Sequence, residues 1–118
     1  MPTAGFRYQD DSLVCDGVPL ADIARVEATP AYVYSAAAIE HACSDFDGAF
    51  GSYPHRLHYA LKANSTLAIV RLMRRLGSGV DANSVGEIEV ALRAGFVADD
   101  IRRGLSVDGL DRGQVPRR

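Results

Sequence analysis

Two short apolar runs, each followed at once by a capped helical stretch, constrain this chain more than any other feature. Residues 56–62 alternate along a predicted strand, with Leu57, Tyr59 and Leu61 on one face and His58, Ala60 and Lys62 on the other. Asn64-Ser65 can cap the helix that follows, in which Leu67, Val70, Met73 and Leu76 recur at three-residue steps until Gly77 stops it. Gly79-Val-Asp-Ala82 predicts a second strand. Ser84-Val-Gly-Glu87 has the spacing of a capping box, and Ile88, Ala91, Leu92 and Phe96 carry the next helix, with Gly95 at its C-terminal cap. Upstream, Ser35 is placed to cap a helix in which Ile39, Ala42, Cys43, Phe46 and Phe50 recur at helical spacing and Gly51 ends the run. The order is helix, strand, helix, strand, helix. Repeated βα units imply an α/β fold with a parallel sheet, open or closed into a barrel.

The two ends read differently. Phe6-Arg-Tyr8 and Ser12-Leu-Val-Cys15 predict short strands, with Asp16-Gly17 as a turn, and residues 19–26 allow one or two helical turns. Ala31-Tyr-Val-Tyr34 is a short β-prone run. From Arg102 to Arg118 there are five arginines, three glycines, one proline and no aromatic residue, so periodicity is lost and a poorly ordered segment is expected. Three regions result: an N-terminal segment over 1–30, the βα units over 31–101, and an aberrant tail over 102–118.

Composition excludes several function classes. The formal charge of the 118 residues is −2, which makes no electrostatic case for nucleic acid or an anionic membrane. No stretch approaches the roughly 20 apolar residues of a membrane span, and residues 1–11 lack the apolar centre of a signal peptide. A cytoplasmic location is the expectation. Cys15 and Cys43 form no C-x-x-C pair and are too few for a zinc site, so both read as small buried hydrophobes and no metal is expected. Among the basic residues there are twelve arginines and one lysine, Lys62, which is therefore the only lysine side chain available for Schiff-base chemistry.

Lys62 ends an apolar strand and precedes a helix cap, and in parallel α/β folds strand C-termini point into the ligand crevice. Schiff-base chemistry needs a free amine, which a half-dry site favours. The plainer reading is a lysine that snorkels from a strand end to water. Asp81 ends the next strand, and neighbouring strands lie about 5 Å apart, so Asp81 can approach Lys62 or a group bound to it; the plainer reading is an exposed carboxylate or a simple ion pair. Glu87 already has a duty in the capping box. His58 shares a face with Lys62 but lies deeper in the strand, as a core histidine would. His41 and His55 are given no role, and Gly77-Ser-Gly79 is a helix stop, too short for a dinucleotide fingerprint.

Tyr59-Ala-Leu-Lys-Ala-Asn64 changes the balance. It resembles the Y-A-x-K-A-N segment around the cofactor lysine of diaminopimelate decarboxylases, of which ornithine and arginine decarboxylases carry close variants. Three further segments agree in order and spacing: Asp16-Gly-Val-Pro-Leu-Ala-Asp-Ile-Ala24, Thr29-Pro-Ala-Tyr-Val-Tyr-Ser35, and Leu76-Gly-Ser-Gly-Val-Asp-Ala-Asn-Ser-Val-Gly-Glu87. The resemblance spans about residues 6–101. It implies the N-terminal part of a pyridoxal-phosphate (PLP) binding (β/α)8 TIM barrel, incomplete here, with the first residues belonging to the family's β-domain. It also implies that Lys62 bonds covalently to PLP, that Asp81 lies beside that bond and keeps it charged, that Ala60 leaves room for the ring, and that Glu87 falls near the cofactor.

The activity that this resemblance implies is loss of carbon dioxide from an amino acid, with meso-diaminopimelate giving L-lysine. An ornithine- or arginine-type relative is the alternative substrate class. The partners implied are a small-molecule amino acid and, in full-length members, a second copy. After Ile101 the family continues with a third strand and a turn of the form V-x-x-G-x-x-K-T, whereas this chain has Arg102-Arg-Gly-Leu-Ser-Val-Asp-Gly. That change is what a shifted reading frame in a GC-rich gene would produce, and a message continuing in the family's frame past Ile101 would overturn the idea. A truncated product, expected to be inactive alone, and a non-catalytic relative that binds a partner decarboxylase are the other two readings.

Overall fold

The computed structural model describes residues 5–103. They fall into two compact units that divide between Tyr53 and Pro54.

The first unit opens with a three-stranded antiparallel meander, β1 (Phe6–Gln9), β2 (Ser12–Cys15) and β3 (Val18–Pro19). Both connections are two residues long, and their central residues all have positive φ: Asp10 47° and Asp11 62°, then Asp16 50° and Gly17 83°. That geometry matches the right-handed twist of the flanking strands, and Asp-Gly adopts it at low cost. Helix α1 (Leu20–Glu27) and helix α2 (Ala36–Ala49) follow. The β-prone run at 31–34 forms no strand; with no described neighbour to pair with, its propensity alone makes no ladder.

A small polar knot ties α2 to the meander. Ser35, the N-cap, accepts from the Ala38 amide at 2.9 Å and donates its hydroxyl proton to Asp16 at 2.7 Å. Asp16 also accepts from the Ala37 amide at 3.2 Å, so two side chains satisfy the otherwise orphan amides of the helix start. Gly5 closes the knot from below: its carbonyl accepts from the Asp16 amide at 2.8 Å, and a Cβ there would fall 1.8 Å from the Ser35 hydroxyl. Val14, Cys15 and Ser35 are buried beside it. Burial pushes the Cys15 thiol up, and the Asp16 charge adds to the shift. Cys43, expected to be buried, is only half-buried.

The second unit is a parallel three-stranded sheet in the order β4 (His58–Ala60), β5 (Gly79–Ala82), β6 (Ile101–Arg103), with α3 (Leu67–Arg75) and α4 (Val85–Arg93) as the crossovers. Tyr59, Val80 and Ile101 are register partners and pack in the core with Leu61, Val70, Ala82, Ala91, Ala94 and Phe96. His58 pairs with Gly79, and Ala60 pairs with Asp81 and through it with Arg102, so these residues occupy the opposite face. Both helices end in the same way. The amides of Gly77 and Ser78 bond the Arg74 and Met73 carbonyls, and those of Gly95 and Phe96 bond the Leu92 and Ala91 carbonyls. Each is a Schellman motif whose glycine takes the left-handed conformation, φ 84° and 97°.

Three expectations need correction. The strand predicted over 56–62 is paired only at His58–Ala60, because the Ala63 amide turns back to the Ala60 carbonyl at 3.1 Å. Leu92 is 52% exposed and faces away from the core, which Ala91 and Ala94 fill instead. Arg102 and Arg103 belong to β6 rather than to a tail, because β5 offers them a parallel partner strand. Residues 104–118 of the predicted tail lie outside the described residues.

The knot at Asp16 carries a pH signature. Hydrogen bonds from the Ser35 hydroxyl and then from the Ala37 amide hold its carboxyl below its ordinary value. A depressed carboxyl contributes stability that is present above its unfolded value, near 4, and is lost as pH falls through the folded one. Wild type should therefore be more stable than Asp16→Asn at neutral pH, and the difference should vanish as pH falls below about 4. Paired urea unfolding curves across that range would show it; a pH-independent difference would assign the effect to shape alone.

Candidate cofactor site

The candidate site is built at the C-terminal ends of β4 and β5. Leu61 follows β4 and is fully buried, and its amide donates to the Asp81 carbonyl at 3.1 Å, which carries the ladder one bond past the last paired residue. Lys62 comes next. It lies in the turn over residues 61–63 rather than at the strand end, and it is exposed, not half-dry as the strand pattern suggested. The reason is the early turn at Ala63, which lifts Lys62 clear of the sheet.

Further bonds close this turn. The Tyr59 hydroxyl donates to the Asn64 carbonyl at 2.7 Å, and the Thr66 amide donates to the Asn64 side-chain oxygen at 3.0 Å. Thr66, not Asn64 or Ser65, is the N-cap of α3, and its own side chain makes no capping bond. Asn64 instead shapes the approach to the helix as an Asx turn. The motif that marks the lysine is thus also the set of groups that folds the chain around it.

Asp81 is half-buried on the face away from the core, level with Ala60 on one side and Arg102 on the other. No described side chain bonds its carboxylate. Ala60 is half-buried and offers only a methyl group to that face. His58, one pleat deeper, lies over the Cα of Gly79: a Cβ there would fall 2.7 Å from its ring. It is half-buried, so the deeper placement holds, while its packing partner is backbone rather than a core side chain.

Glu87 is engaged at the start of α4. Its carboxylate accepts from the Asn83 amide at 3.4 Å and from the Ser84 hydroxyl at 3.2 Å, and its amide donates to Ser84 Oγ at 3.1 Å. This is the predicted capping box, with Asn83 in place of the N-cap amide as the reciprocal donor. His41 pairs with Asp45 at 3.0 Å on the exposed side of α2. Among the described residues no group of three or more metal-ligating side chains comes together.

Chemically, this arrangement offers an exposed primary amine on a closed turn, a carboxylate that no described side chain engages near the end of the adjoining strand, and a small residue level with it in the register. Those groups fit PLP: the amine would hold its aldehyde carbon, and the acid would balance positive charge at that end of the sheet. Sequence reasoning missed two features. The Tyr59 hydroxyl was read only as part of an apolar face, although its place in the lysine motif was a signal. Arg102, level with Asp81, was assigned to the tail.

Comparison with known proteins agrees with this geometry. The family described as pyridoxal-dependent decarboxylase, pyridoxal binding domain, matches residues 36–104. The chain belongs to this family. Diaminopimelate decarboxylase of Vibrio cholerae is 50% identical over 91 residues, which is 76% of this chain and 22% of that protein. The enzyme of the same name from Pseudomonas aeruginosa is 40% identical over 114 residues, covering 86% of this chain and 28% of that one. A crystal structure of diaminopimelate decarboxylase from M. jannaschii in complex with L-lysine superposes with a TM-score of 0.71 at 27% identity, over 87% of this chain and 25% of the other. The chain thus spans about a quarter of the length of these relatives. The α/β architecture is that of the N-terminal portion of these proteins, an incomplete barrel.

The capping box yields a direct check on Glu87. Ser84→Ala should lower the stability of the second unit by about 1 kcal/mol, and Glu87→Gln, which keeps an acceptor at the same place, by less. Chemical unfolding of the two variants would measure this. A Glu87→Gln loss larger than that of Ser84→Ala would show that the charge of Glu87 has a duty beyond the cap.

Proposed function

We propose that this chain supplies the cofactor lysine of a PLP-dependent amino-acid decarboxylase, with Lys62 as the anchoring amine and meso-diaminopimelate as the substrate. One observation carries the reading: the single lysine of the chain sits on a closed, exposed turn directly past the Leu61–Asp81 backbone bond, inside the segment that matches the pyridoxal binding family. Diaminopimelate as substrate is supported by the relatives, which are diaminopimelate decarboxylases.

When bound, PLP supplies an electron sink for the pair of electrons left by the departing carboxylate. The residues of this chain do the rest. Lys62 Nζ would hold the cofactor covalently, and the closed turn that carries Lys62 follows directly on β4. The carboxylate of Asp81 keeps positive charge favourable at that end of the sheet, and Ala60 leaves the neighbouring face open. Glu87, occupied by the cap, supports the approach to α4 behind Asp81. Homodimerisation of the whole protein and a cytoplasmic location go with this reading through the family. No described helix is long and apolar enough to cross a membrane.

Two experiments test it. Incubation with PLP followed by borohydride reduction should label Lys62, and peptide mapping that finds the label on the terminal amine, with Lys62 free, would sink the assignment. In the whole enzyme, Asp81→Asn should cut turnover by the equivalent of roughly 2–4 kcal/mol, with little change in the unfolding midpoint. Unchanged turnover in a folded variant would reduce Asp81 to an exposed carboxylate.

A further inference from the structure

We infer that Tyr59 is a positioning residue: its hydroxyl, by closing the backbone loop from Tyr59 to Asn64, holds the Lys62 amine where a carbonyl compound can reach it. The inference rests on the reading of Lys62 as the cofactor amine and adds a residue that does not touch the reacting atoms.

The geometry leads there in steps. Tyr59 lies half-buried on the core face of β4, level with Val80 of β5, and packs against the core cluster that includes Leu61. A ring packed on one side against the core places its hydroxyl with restricted freedom, because only two side-chain torsions separate the ring from the backbone. That hydroxyl bonds the carbonyl of Asn64, two residues past Lys62, at 2.7 Å. On the other side of Lys62, Leu61 is anchored twice, by its fully buried side chain and by its amide on the Asp81 carbonyl. Lys62 is therefore bracketed: Leu61 fixes the chain before it and Tyr59 fixes the chain after it. The Ala63–Ala60 turn bond and the Thr66–Asn64 bond lie inside or next to the same loop.

Exposure makes the bracket matter. Lys62 itself is exposed, and its amine bonds no described side chain. The region that Nζ can reach is then set by the backbone of the turn. An exposed loop tip opens readily unless its own bonds hold it. A single bond from a rigid ring to the far end of the loop shifts that equilibrium at small cost, since the ring is already ordered by the core.

The test uses the full chain, the conservative variant Tyr59→Phe, and two readouts. The first is backbone amide exchange without cofactor. Amides at 62–66 should exchange roughly two- to tenfold faster in Tyr59→Phe, as expected on losing one hydrogen bond, while those of Val70 and Val80 should be unchanged. The second is the ratio of borohydride-fixed PLP on Lys62 to that on the terminal amine, the only other primary amine, measured in the same sample. In wild type this ratio should exceed its value in denaturant. In Tyr59→Phe it should fall several-fold toward that value.

Unchanged exchange at 62–66 would overturn the inference. So would faster exchange spread evenly over the second unit, or loss of its fold, since the hydroxyl would then support the unit and not the turn. Faster local exchange with an unchanged labelling ratio would overturn it as well, by showing that closure of the turn does not govern the amine. A wild-type ratio no higher than the denatured one would instead defeat the assignment of Lys62, and with it any positioning role, while the exchange data would still report whether Tyr59 closes the loop.

Discussion

The burial of Leu61 is the constraint on which the second unit and its chemistry both depend. Its side chain fills the space between the sheet and the crossover helices, beside Val70 and Val80, all three fully buried. Removing a leucine from such a place costs several kcal/mol, since the void cannot collapse. That burial fixes the exit direction of the chain from β4 to within one residue. The next residue has no room inside, so the lysine is delivered to the surface at the end of the strand. The same residue donates its amide to the Asp81 carbonyl, which locks β4 against β5 at the level where Ala60 and Asp81 are register partners. Core packing and the placement of Lys62 and Asp81 are therefore one event.

Much of this was legible because it is local. Ser84 and Glu87 are three residues apart, and the capping box they make is a property of one helical turn. Gly77 and Gly95 stop their helices through Schellman bonds that span five residues. Asp16-Gly17 is a two-residue turn whose positive φ values suit Asp and Gly. The lysine motif was legible for another reason: it is a short ordered string whose resemblance to one family extends through three further segments, and the match to the pyridoxal binding family agrees with it.

What was not legible is what depends on partners distant in sequence. β6 exists because Ile101, Arg102 and Arg103 find Val80, Asp81 and Ala82 some twenty residues back, and arginine-rich composition carries no trace of that pairing. The knot of Gly5, Asp16 and Ser35 draws on three separate segments, and no spacing rule connects an aspartate in a hairpin turn with the cap of a helix 19 residues on. Strand 56–62 was read too long because alternation continues through Leu61, while the backbone has already turned. Periodicity reports which face a residue prefers. It does not report where the ladder of hydrogen bonds ends.

The structure also sorts polar residues by whether folding already uses them. Glu87, Ser84, Asn64 and Asp16 are each committed to a cap or a turn, and each accepts a backbone amide that would otherwise go unmet. His58 is shaped against the backbone of Gly79. Lys62 and Asp81 stand apart. Neither caps a helix or joins an ion pair among the described residues; Asp81 lies near the end of β5, and Lys62 in the turn that follows β4. A charged side chain contributes little to stability at such a place, so the fold does not account for a lysine followed across the sheet by an aspartate. The proposed cofactor role does account for it: an amine free of salt bridges can bond to an aldehyde, and a carboxylate that no described side chain engages can balance the charge that results.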